Sequence, residues 1–168
     1  MSYRELLLSN QLCFLVHRLD LGIASKYRPA LAKLGLTYGQ YLAMLALWER
    51  REATVSELCG ALELDTGTVS PLVKRLEAAG LVERARSLID ERQVLVRLTR
   101  KGAALEEKAR SVPGSLAGCL VADEADYARI RAFLEELLER LGPCGPGPDE
   151  GTNRDPARGK RPKKGSRI

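Results

Sequence analysis

The sequence predicts a mainly α-helical fold carrying one small β-hairpin, and three observations predict it. Apolar residues recur at three- and four-residue steps through most of residues 4–141. "TYGQ" (37–40) and "TVSE" (54–57) are capping boxes, in which a threonine and the Gln or Glu three residues on satisfy each other's backbone donors. Two alternating runs, 81–86 and 92–98, flank a polar tip and read as paired strands.

Residues 4–34 come first. Leu8, Leu12, Leu15, Val16, Leu19 and Ile23 form one face of a long helix, and Gly35 stands where a C-terminal cap belongs. Leu6, Leu7, Phe14 and Leu21 lie off that stripe. A helix with two apolar faces needs two surfaces to cover them, its own core and a second chain. A second helix follows the first capping box and runs to about residue 51, with Tyr41, Leu42, Met44, Leu45, Leu47 and Trp48 as its apolar positions.

The second box opens a short third helix, 55–62, that turns Val55, Leu58 and Leu62 inward. Asp65 or Thr66 caps a fourth, with Val69, Leu72, Val73 and Leu76 buried and Gly80 closing it. Two short helices joined by a tight turn make a helix-turn-helix, and the hairpin that follows at once is a wing. "TRKGAALEEKAR" (99–110) restarts helix, and Pro113 and Gly114 break it. Residues 123–141 give a last amphipathic helix with Tyr127, Ile130, Phe133, Leu134, Leu137 and Leu141 along one side.

The 168 residues have room for one domain with a core, and residues 1–142 are read as that domain. Residues 143–168 are rich in proline and glycine without apolar periodicity, so they are read as a disordered tail. Seven Lys/Arg against three Asp/Glu give the tail +4 of the formal +5, leaving +1 for the domain. Any nucleic-acid affinity of the domain therefore requires its positive charge to be concentrated on one surface, while the tail either adds non-specific phosphate attraction or merely solubilises. The longest apolar stretches are too short to span a bilayer, and a cytoplasmic protein with no membrane partner is expected. Cys13, Cys59, Cys119 and Cys144 are spread singly and do not form a disulfide framework. With one histidine and no closely spaced ligand pair, neither a metal nor another cofactor is expected.

A recognition helix must offer the major groove small or hydrogen-bonding side chains while its other face stays in the core. Around the fourth helix Gly67, Ser70, Pro71 and Lys74 lie opposite the apolar stripe, with Thr66, Thr68 and Arg75 beside them. The short side chains permit approach to base edges; Lys74 and Arg75 reach phosphates. At the hairpin tip Asp90 is placed to brace the loop and Arg92 to enter a minor groove. The plainer readings are an ordinary polar helix face and a tip charged for solubility, but a helix-turn-helix followed by a wing has few other uses.

At this point the sequence resembles a known group. "LEAAGLVERARSLIDERQVLVRLTRKG" (76–102) is similar to the pattern of the MarR superfamily of winged-helix repressors, over about residues 5–141. "NQLCF", "YRPAL", "GLTYGQYLAMLALWE" and "LDTGTVSPLVKRLEAAGLV" resemble more narrowly its organic hydroperoxide resistance branch. The resemblance implies a homodimer joined by its N- and C-terminal helices. Such a dimer would bind double-stranded operator DNA and release it when organic hydroperoxide oxidises a sensor cysteine.

On that pattern Cys13 falls on the sensor, and Tyr27 and Tyr38 fall on two tyrosines that hydrogen-bond it across the dimer. Fourteen helical residues separate Cys13 from Tyr27 by roughly 21 Å, so they cannot touch within one chain, and the cross-dimer arrangement that the resemblance implies is compatible with antiparallel first helices from two chains. A thiol with the ordinary value of about 8.5 is mostly protonated in the cell, and donors aimed at its sulfur favour the reactive thiolate. Leu8, Leu12, Phe14 and Val16 would make an apolar surround for a greasy hydroperoxide. Cys119 lies where two-cysteine members carry a resolving thiol; Cys144 is a rival, and Cys59 reads as packing. His17 departs from the branch's usual aromatic. It shares a helix face with Cys13 and either stabilises the thiolate or simply fills the aromatic's space.

Two other readings stay open. One is a repressor of the same superfamily released by a small aromatic ligand, with Cys13 inert. The other is a thiol peroxidase using Cys13 and His17, which fits poorly, because the chain has no phosphate-cradling loop, nucleophile elbow or paired acid.

Overall fold

A computed structural model describes residues 3–86 and 93–142 of the chain. The helix expected from residue 4 begins instead at Leu12. Two 3-10 turns, Arg4–Leu6 and Leu8–Asn10, precede α1 (Leu12–Leu34). Side-chain amides explain the difference: Asn10 Nδ2 donates to the Arg4 carbonyl (2.9 Å) and Gln11 Nε2 to the Glu5 carbonyl (2.6 Å), offering the backbone an alternative to helix. Gly35, at φ +69°, ends α1 in the left-handed conformation, and the Leu36 N–H returns to the Leu31 carbonyl (3.0 Å).

Both capping boxes form. Thr37 and Gln40 open α2 (Tyr38–Arg50), and Thr54 and Glu57 open α3 (Val55–Leu62). Asp65 caps α4 (Thr66–Ala78), and Gly80 follows it at φ +70°. The hairpin is β2 (Val82–Arg86) antiparallel to β3 (Val94–Leu98), with Arg84 opposite Val96. A strand the sequence did not announce, β1 (Glu52–Thr54), pairs with the other edge of β3, giving the order β1-β3-β2. Three residues are too few to show alternation. The chain continues as α5 (Arg100–Ala109), a 3-10 turn (Pro113–Leu116) and α6 (Glu124–Leu141), capped by Asp123.

The core lies between α2, α4 and the sheet. Met44 and Leu47 of α2, Leu58 of α3, Val69, Val73 and Leu76 of α4, and Val82 and Val96 of the sheet are fully buried, each such side chain contributing about 1.5–3 kcal/mol. Trp48 closes one end and donates from Nε1 to the Gly102 carbonyl at 2.9 Å. At Gly102 the first turn of α5 presses so closely on Leu81 that an added Cβ would sit 1.9 Å from the Leu81 carbonyl oxygen.

The apolar stripe of the first helix does not enter this core. Leu12 is 69% exposed, Val16 57% and Leu15 53%, and only Leu31 of α1 is buried. The stripe on α6 is likewise open, with Phe133 at 58% and Leu141 at 81%. Both faces are larger than the scattered apolar exposure usual for a monomer.

Candidate redox site and nucleic-acid interface

Cys13 is the second residue of α1, and its thiol is exposed. Because α1 is continuous to Leu34, Tyr27 stays roughly 21 Å further along the same helix. The end of α1 meets the start of α2, so the Tyr27 and Tyr38 rings lie 5.9 Å apart, inclined at 41°. The structure thus brings the two tyrosines together and leaves the Cys13 of the same chain well away from them.

Tyr41, read from the sequence only as an apolar position, joins the cluster. Its ring stands edge-on to Tyr27 at 5.9 Å and continues to Trp48 at 6.4 Å. Burial pushes all three phenols above their ordinary range; neighbouring tyrosines add to this for Tyr27 and Tyr41, and Asp20 does so for Tyr38. They therefore keep their protons at neutral pH and retain an O–H that a suitable acceptor can take up. A cleft of about 410 Å³ opens beside them, lined by Tyr27, Pro113, Leu116, Val121, Asp123 and Tyr127. Helical spacing places Tyr127 on an apolar stripe, a position that periodicity alone cannot distinguish from a cleft wall.

His17 lies one turn after Cys13 on the same exposed side of α1. Leu8, Leu12 and Val16, expected to surround the sulfur, are themselves exposed, with only Phe14 half-covered. Cys119 follows the 3-10 turn, its thiol donating to the Leu116 carbonyl at 3.2 Å. It lines a groove of about 200 Å³ against Leu19, Gly22 and Ile23 of α1. Those residues begin six positions past Cys13, roughly 9 Å along the axis. Cys59 packs at the edge of the core with its sulfur 3.7 Å from Thr66 Oγ1, while Cys144 lies outside the described residues.

On α4 the buried face is Val69, Val73 and Leu76, with Leu72 half-buried. Thr66, Gly67, Thr68, Pro71, Lys74 and Arg75 are exposed, and Ser70 is half-buried. Pro71, at the sixth helical position, lies just past the first turn, so its ring removes one intrahelical donor without ending the helix. Thr68 is less free than its exposure suggests. Its hydroxyl donates to Asp65 Oδ2 (2.9 Å) and its N–H to Oδ1 (2.8 Å), holding that carboxyl below its usual range.

On the wing Arg84 is held by Glu77 of α4 (Nε to Oε2 2.7 Å), an ion pair that ties β2 to the end of α4 and keeps Glu77 ionised. Asp90 and Arg92 fall outside the described residues, as does the whole tail at 143–168. Among the described residues no group of three His, Cys, Asp or Glu is placed to hold a metal ion, and no helix is long and apolar enough to cross a membrane.

Comparison with known proteins identifies relatives that share this fold. The family of SarA/Rot transcriptional regulators matches residues 25–108. The chain is 43% identical over 140 residues to the organic hydroperoxide resistance transcriptional regulator of Bacillus subtilis, a match covering 83% of this chain and 95% of that protein. Reduced AbfR bound to DNA, a protein known from Staphylococcus epidermidis, superposes with a TM-score of 0.70 at 34% identity, covering 84% of this chain and 96% of that one. AbfR with its disulfide formed superposes with a TM-score of 0.56 at 35% identity, covering 80% and 89%.

Proposed function

The chain belongs to the MarR/SarA-type family of winged-helix transcriptional regulators, DNA-binding proteins rather than enzymes, and from that premise we propose that it is a repressor that releases its operator when organic hydroperoxide oxidises Cys13. One observation carries the reading. Tyr27 and Tyr38 form a pair of protonated phenols, Tyr27 lying roughly 21 Å along α1 from the Cys13 of the same chain, while the α1 face bearing Cys13 is left uncovered. Antiparallel packing of two first helices covers that face and delivers each sulfur to its partner's phenols. The homodimer reads a pseudo-palindromic operator in the cytoplasm with its two α4 helices about 34 Å apart. Ser70, Lys74 and Arg75 face the DNA, together with Thr66, Thr68 and Pro71, while Asp90 and Arg92 act at the wing tip.

In the sensing step the Cys13 thiolate attacks one peroxide oxygen and the O–O bond breaks. The other oxygen leaves as an alcohol after taking a proton, and the sulfur becomes a sulfenic acid. A second thiol then displaces water to give a disulfide. Cys119 is assigned this role, with Cys144 as its rival; the relative AbfR, solved with its disulfide formed, supplies a precedent. Mass spectrometry of protein treated with cumene hydroperoxide, with operator binding followed in parallel, tests the whole. Oxygen or a disulfide should appear on Cys13 in step with loss of binding; release with Cys13 unmodified overturns the reading.

His17 is assigned to support of the thiolate. His17→Phe is expected to slow oxidation roughly threefold to tenfold at unchanged operator affinity, as measured by stopped-flow thiol loss. An unaltered rate removes the role. The cleft beside Tyr27 and Tyr127 favours a second reading, release by a small aromatic ligand bound there.

A further inference from the structure

The recognition helix ends against the first turn of α5. Lys101 Nζ donates to the Ala79 carbonyl at 2.7 Å, Thr99 Oγ1 donates to the Gly80 carbonyl at 2.7 Å, and the Thr99 N–H reaches the Leu81 carbonyl at 3.1 Å. Carbonyls at a helix C-terminus lack intrahelical donors and carry the negative end of the helix dipole, so an ammonium seated there is held by charge as well as by its hydrogen bond. Thr99 Oγ1 also accepts the Gly102 N–H (3.0 Å), which makes the same residue the N-cap of α5. Gly102 permits the contact, since any side chain there would strike Leu81.

The far end of α5 leads elsewhere. It passes through Ala109 and Val112, both buried, into the 3-10 turn Pro113–Leu116, which packs on α1. Beyond that turn Cys119 lies against Leu19, Gly22 and Ile23. One short helix therefore joins the end of the recognition helix to the part of the molecule that holds the uncovered α1 face and a candidate redox thiol.

We infer that Lys101 is a positioning residue for DNA reading: its ammonium on the Ala79 carbonyl, beside the Thr99 contacts, makes α4 move as one body with α5, so the recognition helix is aimed from the dimerisation side. This rests on the regulator reading above and adds the route by which a change near α1 reaches the DNA. Interfaces of packed helices take discrete arrangements, so a fixed joint passes a rearrangement on whereas a loose one absorbs it.

The test compares native protein with Lys101→Met, which keeps the aliphatic stem, and Lys101→Arg, which keeps the charge. Lys101 is exposed, so all three are expected to fold, as checked by circular dichroism and thermal melting. Reduced Lys101→Met should bind operator roughly tenfold more weakly, the worth of one charge-assisted hydrogen bond. Its affinity for an unrelated duplex and its salt slope should stay native, and Lys101→Arg should restore operator binding. Native operator affinity in Lys101→Met overturns the inference. So does parallel weakening on both duplexes with a salt slope lower by about one, which marks Lys101 as a mere phosphate contact.

Under cumene hydroperoxide the native protein should lose more operator affinity than Lys101→Met does. If native protein shows no peroxide response at all, the sensing proposal fails; the ratio of operator to non-specific affinity still decides the role of Lys101.

Discussion

Cys13→Ser is expected to bind operator as tightly as the reduced native protein and to go on holding it in organic hydroperoxide, where the native protein loses between about fivefold and 150-fold in affinity. The two halves of that expectation have separate causes. Cys13 is exposed at the start of α1 and buries nothing in the core, so exchanging sulfur for oxygen leaves the DNA-binding lobe undisturbed. A serine hydroxyl is not ionised near neutral pH and does not attack the peroxide bond, so the chemistry stops at its first step. The measurement is operator binding by fluorescence anisotropy against increasing cumene hydroperoxide. Release of the variant at the native dose would move the sensor to another thiol or away from thiols altogether. Release of both proteins by a phenolic ligand, with neither responding to peroxide, would favour the cleft beside Tyr27 and Tyr127 as the signal site.

Gly102→Ala is expected to cost about 3 kcal/mol, a large part of the 5–15 kcal/mol that holds a domain of this size together. Glycine to alanine within a helix ordinarily stabilises, because alanine has less chain entropy to lose. Here the sign reverses, since the new Cβ would lie 1.9 Å from a backbone oxygen that no side-chain rotation can move. Relief requires α5 to back away from Leu81, which breaks the Thr99–Leu81 hydrogen bond and pulls the Gly102 carbonyl from Trp48. The midpoint of thermal unfolding should fall by roughly 10 °C at fixed protomer concentration. Gly60→Ala is the control. Gly60 sits in α3 with nothing within 4 Å of the added carbon, so the same exchange should leave stability unchanged or raise it by about 0.5–1 kcal/mol. Equal effects at the two glycines would show that the close approach at Gly102 does not exist in solution.

Most of the helix-turn-helix is legible in the sequence. The starts of α2 and α3 are marked by Thr37 and Thr54 and that of α4 by Asp65 or Thr66, of which Asp65 is the cap; the capping side chains bond to backbone groups three residues away, and such bonds depend on nothing distant. The inward positions Leu58, Val69, Val73 and Leu76 followed from helical period alone. Apolar spacing starts α1 too early because Asn10 and Gln11 fold back on carbonyls six residues earlier, a competition that such spacing does not register. The candidate site was legible in its parts. Cys13, Tyr27 and Tyr38 were identified by resemblance, and helix rise alone separates the sulfur from Tyr27 within one chain.

By itself, then, the sequence determined whatever is settled within a turn or two of chain: caps, helical faces, the pairing of the wing's two strands, and the separation of Cys13 from Tyr27. Only the tertiary structure decided which distant groups meet. It added β1 to the edge of β3, set Tyr41 beside Tyr27, and brought α5 onto the end of α4 through Lys101, Thr99 and a glycine with no room for a side chain. Such contacts join residues up to several dozen positions apart, where local spacing carries no information and the packing of whole elements chooses the neighbours.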